Sequence, residues 1–138
     1  MVSLIIGHKG TGKTKHLIDE VNAAREASNG NVICVEKGNK LTYDVKSSVR
    51  LVSADEYGIK GYDSYYGFLA GMCAGDSDIT DILADGTLKI GGEIGPDLVV
   101  FFQKIAALSD STDTKFVFTL SADEADLPAE IFEVAQKL

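Results

Sequence analysis

The sequence feature that most restricts the fold of this chain is a glycine-rich octet close to its first residue, Gly7-His8-Lys9-Gly10-Thr11-Gly12-Lys13-Thr14. An apolar run over residues 2–6 precedes it and is typical of a short buried β-strand. After it, apolar residues recur at the spacing of one helix face, at Leu17, Ile18, Val21 and Ala24. The "SNG" at residues 28–30 indicates where that helix ends. The octet is therefore predicted to be the turn from the first strand into the first helix.

The octet also matches the pattern G-x-x-x-x-G-K-[S/T] in the strand–turn–helix setting that this pattern requires. Glycines let successive backbone N–H groups point inward at a phosphate, and the helix N-terminus adds partial positive charge. Lys13 would bridge the β- and γ-phosphates in catalysis, and the Thr14 hydroxyl would help to hold Mg²⁺. All eight residues, Gly7, His8, Lys9, Gly10, Thr11, Gly12, Lys13 and Thr14, are predicted to bind ATP or GTP with Mg²⁺. The alternative is a glycine-rich turn that binds no ligand.

The rest of the chain alternates short apolar runs with segments of helical period, which indicates a parallel α/β sheet. Further strands are predicted over 31–35, 49–53, within 78–86 and over 115–120, and a small hairpin arm over 41–45. Further helices are predicted from Tyr62, from Pro96 to about Leu108, and from Pro128, since both prolines suit a first helical turn. We expect one domain, residues 1–138, folded as a three-layer α/β/α sandwich with a mostly parallel, five-stranded sheet.

Composition excludes several function classes. The 13 basic and 21 acidic residues give a net charge of −8, which disfavours nucleic acids and anionic membranes as partners. No apolar run approaches the roughly 20 residues that cross a bilayer, and no targeting segment is recognisable, so we expect a cytoplasmic protein. Cys34 and Cys73 form neither a CxxC pair nor a metal-ligand spacing, so both are predicted to be reduced core residues.

With its octet as a Walker A motif, the chain resembles the P-loop NTPase superfamily. Over nearly its whole length, including "EYGIKGYDSYYGF", "DILADG" and "SADEADLP", it is similar to short bacterial P-loop proteins often labelled twitching-motility (PilT-like) ATPases. The resemblance implies a sheet of the P-loop NTPase type and binding of Mg-ATP or Mg-GTP. Pilus-retraction motors are similar only around the octet and carry a further N-terminal domain, so we expect nucleotide binding here rather than a motor.

Such proteins usually hold Mg²⁺ with an acidic residue at the end of a neighbouring strand. In "ITDILADG" the apolar residues 82–84 lead into Asp85, which resembles the Walker B pattern and makes Asp85 the metal candidate beside Thr14. The alternative is a turn residue before Gly86, because Asp-Gly is also a turn signal. Asp81 is a weaker candidate, since a carboxylate in mid-strand would need its own partner.

Hydrolysis also needs a carboxylate that orients water and a cation that neutralises the γ-phosphoryl group. Glu36, at the end of the second strand, is the catalytic candidate, because α/β ligands bind at the carboxyl edge of the sheet. Asp55, Glu56 and Glu93 are the other acidic candidates. The two arginines, Arg25 and Arg50, do not lie at sequence positions typical of an arginine finger, which would neutralise the γ-phosphoryl charge.

Other residues could have either a functional or a purely structural role. Lys9 could reach the nucleotide of a dimer partner or be a plain loop lysine, and His8 could contact phosphate. The tyrosines of residues 56–71 are predicted to pack in the core, with a partner interface or a base contact as alternatives. Ser121 and Asp123 follow the fifth strand, where related ATPases sense the γ-phosphate.

Three functions remain open from the sequence. The first is an NTPase with slow hydrolysis stimulated by a protein partner or by homo-oligomer formation. The second is a non-catalytic nucleotide sensor. The third is a small-molecule kinase, which a shortage of arginines and of lid insertions disfavours.

Overall fold

A parallel sheet of six strands forms the centre of the computed structural model, which describes residues 1–42 and 44–138. The strand order is β3-β2-β4-β5-β1-β6, and every strand pair is parallel. The carboxyl ends of all the strands therefore lie at one edge of the sheet. The strands are β1 (Val2–Gly7), β2 (Asn31–Glu36), β3 (Arg50–Ser53), β4 (Ile79–Ala84), β5 (Lys115–Ser121) and β6 (Gln136–Lys137).

Helices cover both faces of the sheet. One face is covered by α1 (Lys13–Ala27), whose buried Leu17 and Val21 join a core cluster with Ile5, Cys34 and Leu83. The other face is covered by α2 (Tyr62–Gly75), α3 (Thr87–Gly91) and α4 (Pro96–Thr112). The predicted three-layer α/β/α architecture with a parallel sheet is therefore confirmed, and β6 adds a two-residue strand to the five that the sequence predicts.

Aromatic rings fill the second face. Tyr65 of α2 stacks on Phe101 of α4 with ring centroids 5.2 Å apart, and Phe102 meets Phe118 of β5 edge-on at 5.3 Å. All four residues are at most 2% exposed. Tyr65 is thus a core residue, as predicted for the tyrosine-rich segment, and burial raises the pKa of its hydroxyl above the ordinary range.

The prediction of a last helix from Pro128 is wrong. The chain leaves Pro128 in extended conformation, forms a short 3₁₀ turn over Ala129–Glu133, and then pairs with β1 as β6. The pairing continues to the end of the chain, where the Leu138 N–H donates to the Leu4 carbonyl at 2.8 Å. Two further 3₁₀ turns cover Asp55–Tyr57 and Glu124–Asp126.

The hairpin arm predicted over 41–45 includes residue 43, which lies outside the described residues. The four neighbours that are described form a turn and no strand, since the N–H groups of Asp44 and Val45 both donate to the Leu41 carbonyl. Leu41 and Val45 are buried in the cluster beneath α1. This segment therefore extends the core rather than the sheet.

Both cysteines are buried and unpaired, as predicted. Cys34 lies on the α1 face and Cys73 on the opposite face, so the sheet separates them. Burial raises the pKa of the Cys34 thiol to about 12. No helix within the described parts of the chain has both the length and the apolar character to cross a bilayer.

Candidate functional site

The octet forms a loop at the carboxyl edge of the sheet, and we call residues 7–14 the glycine loop. It leaves β1 at Gly7 and enters α1 at Lys13. Gly12, at the start of the helix, has a φ of 83°, a left-handed conformation that favours glycine. A Cβ added at Gly7 would lie 2.6 Å from the Thr11 Oγ1. The curl of the loop therefore depends on glycine at both ends.

Lys13 folds its side chain back into this loop. The side chain is buried, and its Nζ donates to the His8 carbonyl at 2.7 Å, an acceptor that it shares with the Thr11 hydroxyl. Burial lowers the pKa of Lys13, the Asp85 carboxylate opposes this effect, and the charge of Lys89 adds to it. The ammonium group therefore lies at the loop as a partly desolvated cation.

Asp85 lies directly after β4 and joins the glycine loop to β5. Its Oδ2 accepts a hydrogen bond from the Thr14 hydroxyl at 3.1 Å, and its Oδ1 accepts one from the Thr119 hydroxyl at 2.6 Å. The Thr119 oxygen in turn accepts from the Gly86 N–H at 3.0 Å. Thr119, which the sequence analysis missed, is 2% exposed. Its signal was a lone hydroxyl within the apolar strand "KFVFTL".

The oxygens of Thr14 and Asp85 are ligands of the hard type that Mg²⁺ prefers, and Mg²⁺ commonly keeps waters and substrate phosphates as its remaining ligands. In the part of the chain that the structure describes, no group of three or more His, Cys, Asp or Glu residues could hold a metal by itself. The oxygens of Thr14 and Asp85 fit a Mg²⁺ ion that takes further ligands from nucleotide phosphates.

Two adjoining cavities open on either side of Asp85. The first, of about 350 Å³, lies over the glycine loop and is also lined by Thr119 and Ser121. The second, of about 440 Å³, lies over the ends of β2 and β4. Both have the size of small-ligand sites. They share four lining residues, Thr14, Asp85, Gly86 and Lys89.

Lysines line both cavities although the chain is acidic overall, with a net charge of −8. The lining therefore carries more basic than acidic side chains, five lysines against Glu36, Asp55 and Asp85, in contrast to the chain as a whole. The lysines are Lys9, Lys13, Lys37, Lys40 and Lys89.

Glu36 lies at the end of β2, and its side chain lines the second cavity. The residue is 4% exposed. Its carboxylate accepts the backbone N–H groups of Lys40 at 2.7 Å and Leu41 at 3.2 Å. In this arrangement Glu36 anchors the loop that follows β2, and its predicted role in orienting water stays a prediction.

Among the other acidic candidates, only Asp55 lies at these cavities. It lines the second cavity and pairs with Lys37, whose Nζ lies 3.1 Å from its Oδ2. Glu56 is exposed in the adjacent 3₁₀ turn. Glu93 lines a separate cavity of about 460 Å³ between α2 and α4, and Asp81 lines a cavity at the opposite edge of the sheet.

The arginines lie away from the glycine loop. Arg25 donates to the carbonyls of Ser28 and Gly30 at the end of α1, and Arg50 begins β3 at the amino edge of the sheet. A different pair contacts the loop: the His8 Nε2 lies 2.5 Å from the Asp123 Oδ1. Ser121 stands opposite Gly7 in the β1–β5 register and lines the first cavity.

The sequence did not predict the short helix α3, and Lys89 was not among the predicted site residues. Gly86 starts α3 with a φ of 73°, and its carbonyl accepts the Ile90 N–H at 3.1 Å. The "DG" of residues 85–86 is therefore both a turn signal and the start of a helix. The available sequence signal was a lysine four residues after the predicted metal carboxylate.

The chain matches no protein-family model and no curated protein sequence. Among solved structures it is similar to the flagellar accessory protein FlaH from Methanocaldococcus jannaschii, with a TM-score of 0.59 and 15% sequence identity. The match covers 96% of this chain but only 65% of FlaH, so the chain spans about two thirds of that protein's length. At this identity the similarity shows the fold alone.

Proposed function

We propose that this chain is a nucleotide-binding protein that holds Mg-ATP or Mg-GTP in the first cavity and hydrolyses it slowly. The observation that supports this most strongly is the 3.1 Å hydrogen bond from Thr14 to Asp85, two residues 71 positions apart in sequence. A glycine turn that binds nothing has no need of a carboxylate from another strand beside its last residue. The same juxtaposition is what a nucleotide-bound Mg²⁺ requires.

The charges support a phosphate ligand in particular. A partly desolvated lysine is stabilised by a nearby anion, and Lys13 already lies within the loop whose backbone N–H groups would face a β-phosphate. In this proposal the phosphate oxygens replace the His8 carbonyl as acceptors for the Lys13 ammonium. A bound Mg²⁺ would neutralise further charge on the phosphates.

For hydrolysis, a water oxygen attacks the γ-phosphorus while the bond to the β–γ bridging oxygen breaks, and the water proton passes to a base. The products are a nucleoside diphosphate and inorganic phosphate. We propose Glu36 as the residue that orients this water, because it lines the cavity next to Asp85. Its carboxylate is engaged by Lys40 and Leu41, so turnover requires that the loop after β2 shifts. A protein partner or a second copy of the chain that moves this loop would raise the rate.

The same hydrogen bonds favour a second candidate, a nucleotide sensor without catalysis. If Glu36 only anchors its loop, no other carboxylate directly follows Asp85, since the next residue is Gly86. Binding would then be the whole function of the site.

Binding is tested with Lys13→Met, which keeps an apolar stem in the buried site and removes the charge. We expect the affinity for Mg-ATP and Mg-GTP to fall at least tenfold in calorimetry, since a hydrogen bond to a charged group contributes about 1.5–3 kcal/mol. Lys15→Met is the matched control, because Lys15 is exposed and pairs with Asp19 on the same helix. An unchanged affinity in a folded Lys13→Met protein would refute the proposal.

The two candidates are separated by measuring phosphate release at saturating nucleotide over hours, at low and at high protein concentration. Release above the buffer rate supports the NTPase, and a rise with concentration supports stimulation by self-association. No release at either concentration favours the sensor. Transfer of labelled phosphate to a small metabolite would instead identify a kinase.

A further inference from the structure

Lys89 is the cation that α3 brings to the boundary between the two cavities. It lines both of them, together with Asp85. A Cβ added at Gly86 would lie 3.9 Å from the Lys37 Cβ and 4.0 Å from the Lys89 Cβ. The two lysine stems therefore flank the residue that follows Asp85.

The two lysines differ in what already neutralises them. Lys37 pairs with Asp55. Across residues 1–42 and 44–138, Lys9, Lys40 and Lys89 are the cavity lysines that take part in no ion pair and no side-chain hydrogen bond. Of these three, Lys89 alone lines both cavities, so its charge is available to an anion on either side of their boundary.

The charge of Lys89 also acts on the glycine loop, because its repulsion contributes to the lowered pKa of Lys13. Two ammonium groups that repel each other across a cavity are both stabilised by an anion between them. Lys13 of the glycine loop and Lys89 of α3 both line the first cavity, together with Asp85.

We propose that Lys89 contacts the terminal phosphate of a bound nucleoside triphosphate and makes the site selective for triphosphate over diphosphate. This inference rests on the proposed function, because it assumes that the glycine loop holds the β-phosphate. The backbone N–H groups of the loop contact phosphates that both nucleotides carry, whereas Lys13 spans the β- and γ-phosphates. Lys89 lies beside Asp85 at the boundary of the first cavity, where the third phosphate would lie, so it adds a contact that a diphosphate cannot make.

The experiment compares the affinities of Mg-ADP and of the non-hydrolysable imido analogue of Mg-ATP by calorimetry. The wild type is expected to prefer the triphosphate analogue. In Lys89→Gln this preference should fall about tenfold, equivalent to about 1.4 kcal/mol, while the affinity for Mg-ADP stays within a factor of about two. Lys89→Arg, which keeps the charge, should retain the preference.

The matched control is Lys115→Gln, which removes the same charge at the exposed amino end of β5, the opposite edge of the sheet. For Lys89→Gln itself, Gln and Lys have similar helix propensities, so we expect α3 to stay folded in this variant, and circular dichroism checks this. An unchanged preference in Lys89→Gln, or equal losses for both nucleotides, would overturn the inference. If the wild type binds neither nucleotide, the proposed function fails instead, and the two failures are distinguishable.

Discussion

Removing the Glu36 carboxylate should destabilise the fold, whatever its part in catalysis. Its two oxygens accept the N–H groups of Lys40 and Leu41, and the bond to Leu41 is buried. In Glu36→Ala both donors lose their acceptor. Water can reach the Lys40 N–H, which is only partly buried, but not the Leu41 N–H.

The size of the effect follows from these environments. A buried donor without a partner costs about 1–3 kcal/mol, and a donor that water can satisfy about 0.5–1.5 kcal/mol. The free energy of unfolding of Glu36→Ala should therefore fall by about 2–4 kcal/mol. A domain of 138 residues has roughly 7–20 kcal/mol in total, so the variant should still fold. Glu36→Gln keeps one carbonyl oxygen and should lose only about 1–2 kcal/mol.

Urea unfolding followed by circular dichroism measures the effect. With a slope of about 2 kcal/mol per molar urea, the midpoint of Glu36→Ala should fall by about 1–2 M, and that of Glu36→Gln by less. Glu130→Ala, at an exposed carboxylate, controls for the loss of charge. If Glu36→Ala unfolds at the same midpoint as this control, the carboxylate does not anchor the loop, and our account of slow turnover fails with it.

Two further predictions concern Asp85 and Cys34. Asp85→Asn keeps one acceptor oxygen, replaces the other with an amide NH2 group and removes the charge. The affinity for Mg-nucleotide should therefore fall about tenfold and that for metal-free nucleotide much less; equal losses in calorimetry would make Asp85 a turn residue only. The Cys34 thiol, with its pKa raised to about 12 by burial, stays protonated at pH 8 and should resist iodoacetamide in the native protein, then react in urea. Mass spectrometry of the labelled peptides follows this, and rapid labelling of Cys34 in the native protein would contradict the burial.

The sequence was sufficient for the scaffold because its signals there extend over whole elements. The short apolar runs of the strands and the helical spacing of Leu17 and Val21 were readable, and the structure confirms the layers that they predict. The helix predicted from Pro128 failed because a proline suits a first helical turn but does not enforce one. Pairing of residues 136–137 with β1 satisfied the backbone instead.

The candidate site was only partly readable, because much of it comes from segments too short for a period to show. Asp85 was found from the apolar run before it, whereas Lys89 lies in a helix of five residues. Thr119 contributes a single hydroxyl from a buried strand. The two hydrogen bonds of Glu36 depend on how the following loop folds back, which no local pattern records.

The position of β5 between β1 and β4 has a mechanical consequence. Neighbouring strands lie about 4.8 Å apart, so the ends of β1 and β4 are held roughly 10 Å apart by backbone ladders on both sides of β5. The distance from the glycine loop to the Asp85 carboxylate is thus set by a spacer of one strand, and Thr119 marks its midpoint. Substitutions in the helices on either face would leave that distance unchanged. A shift of the β5 register by one residue would instead turn the Thr119 side chain away from Asp85.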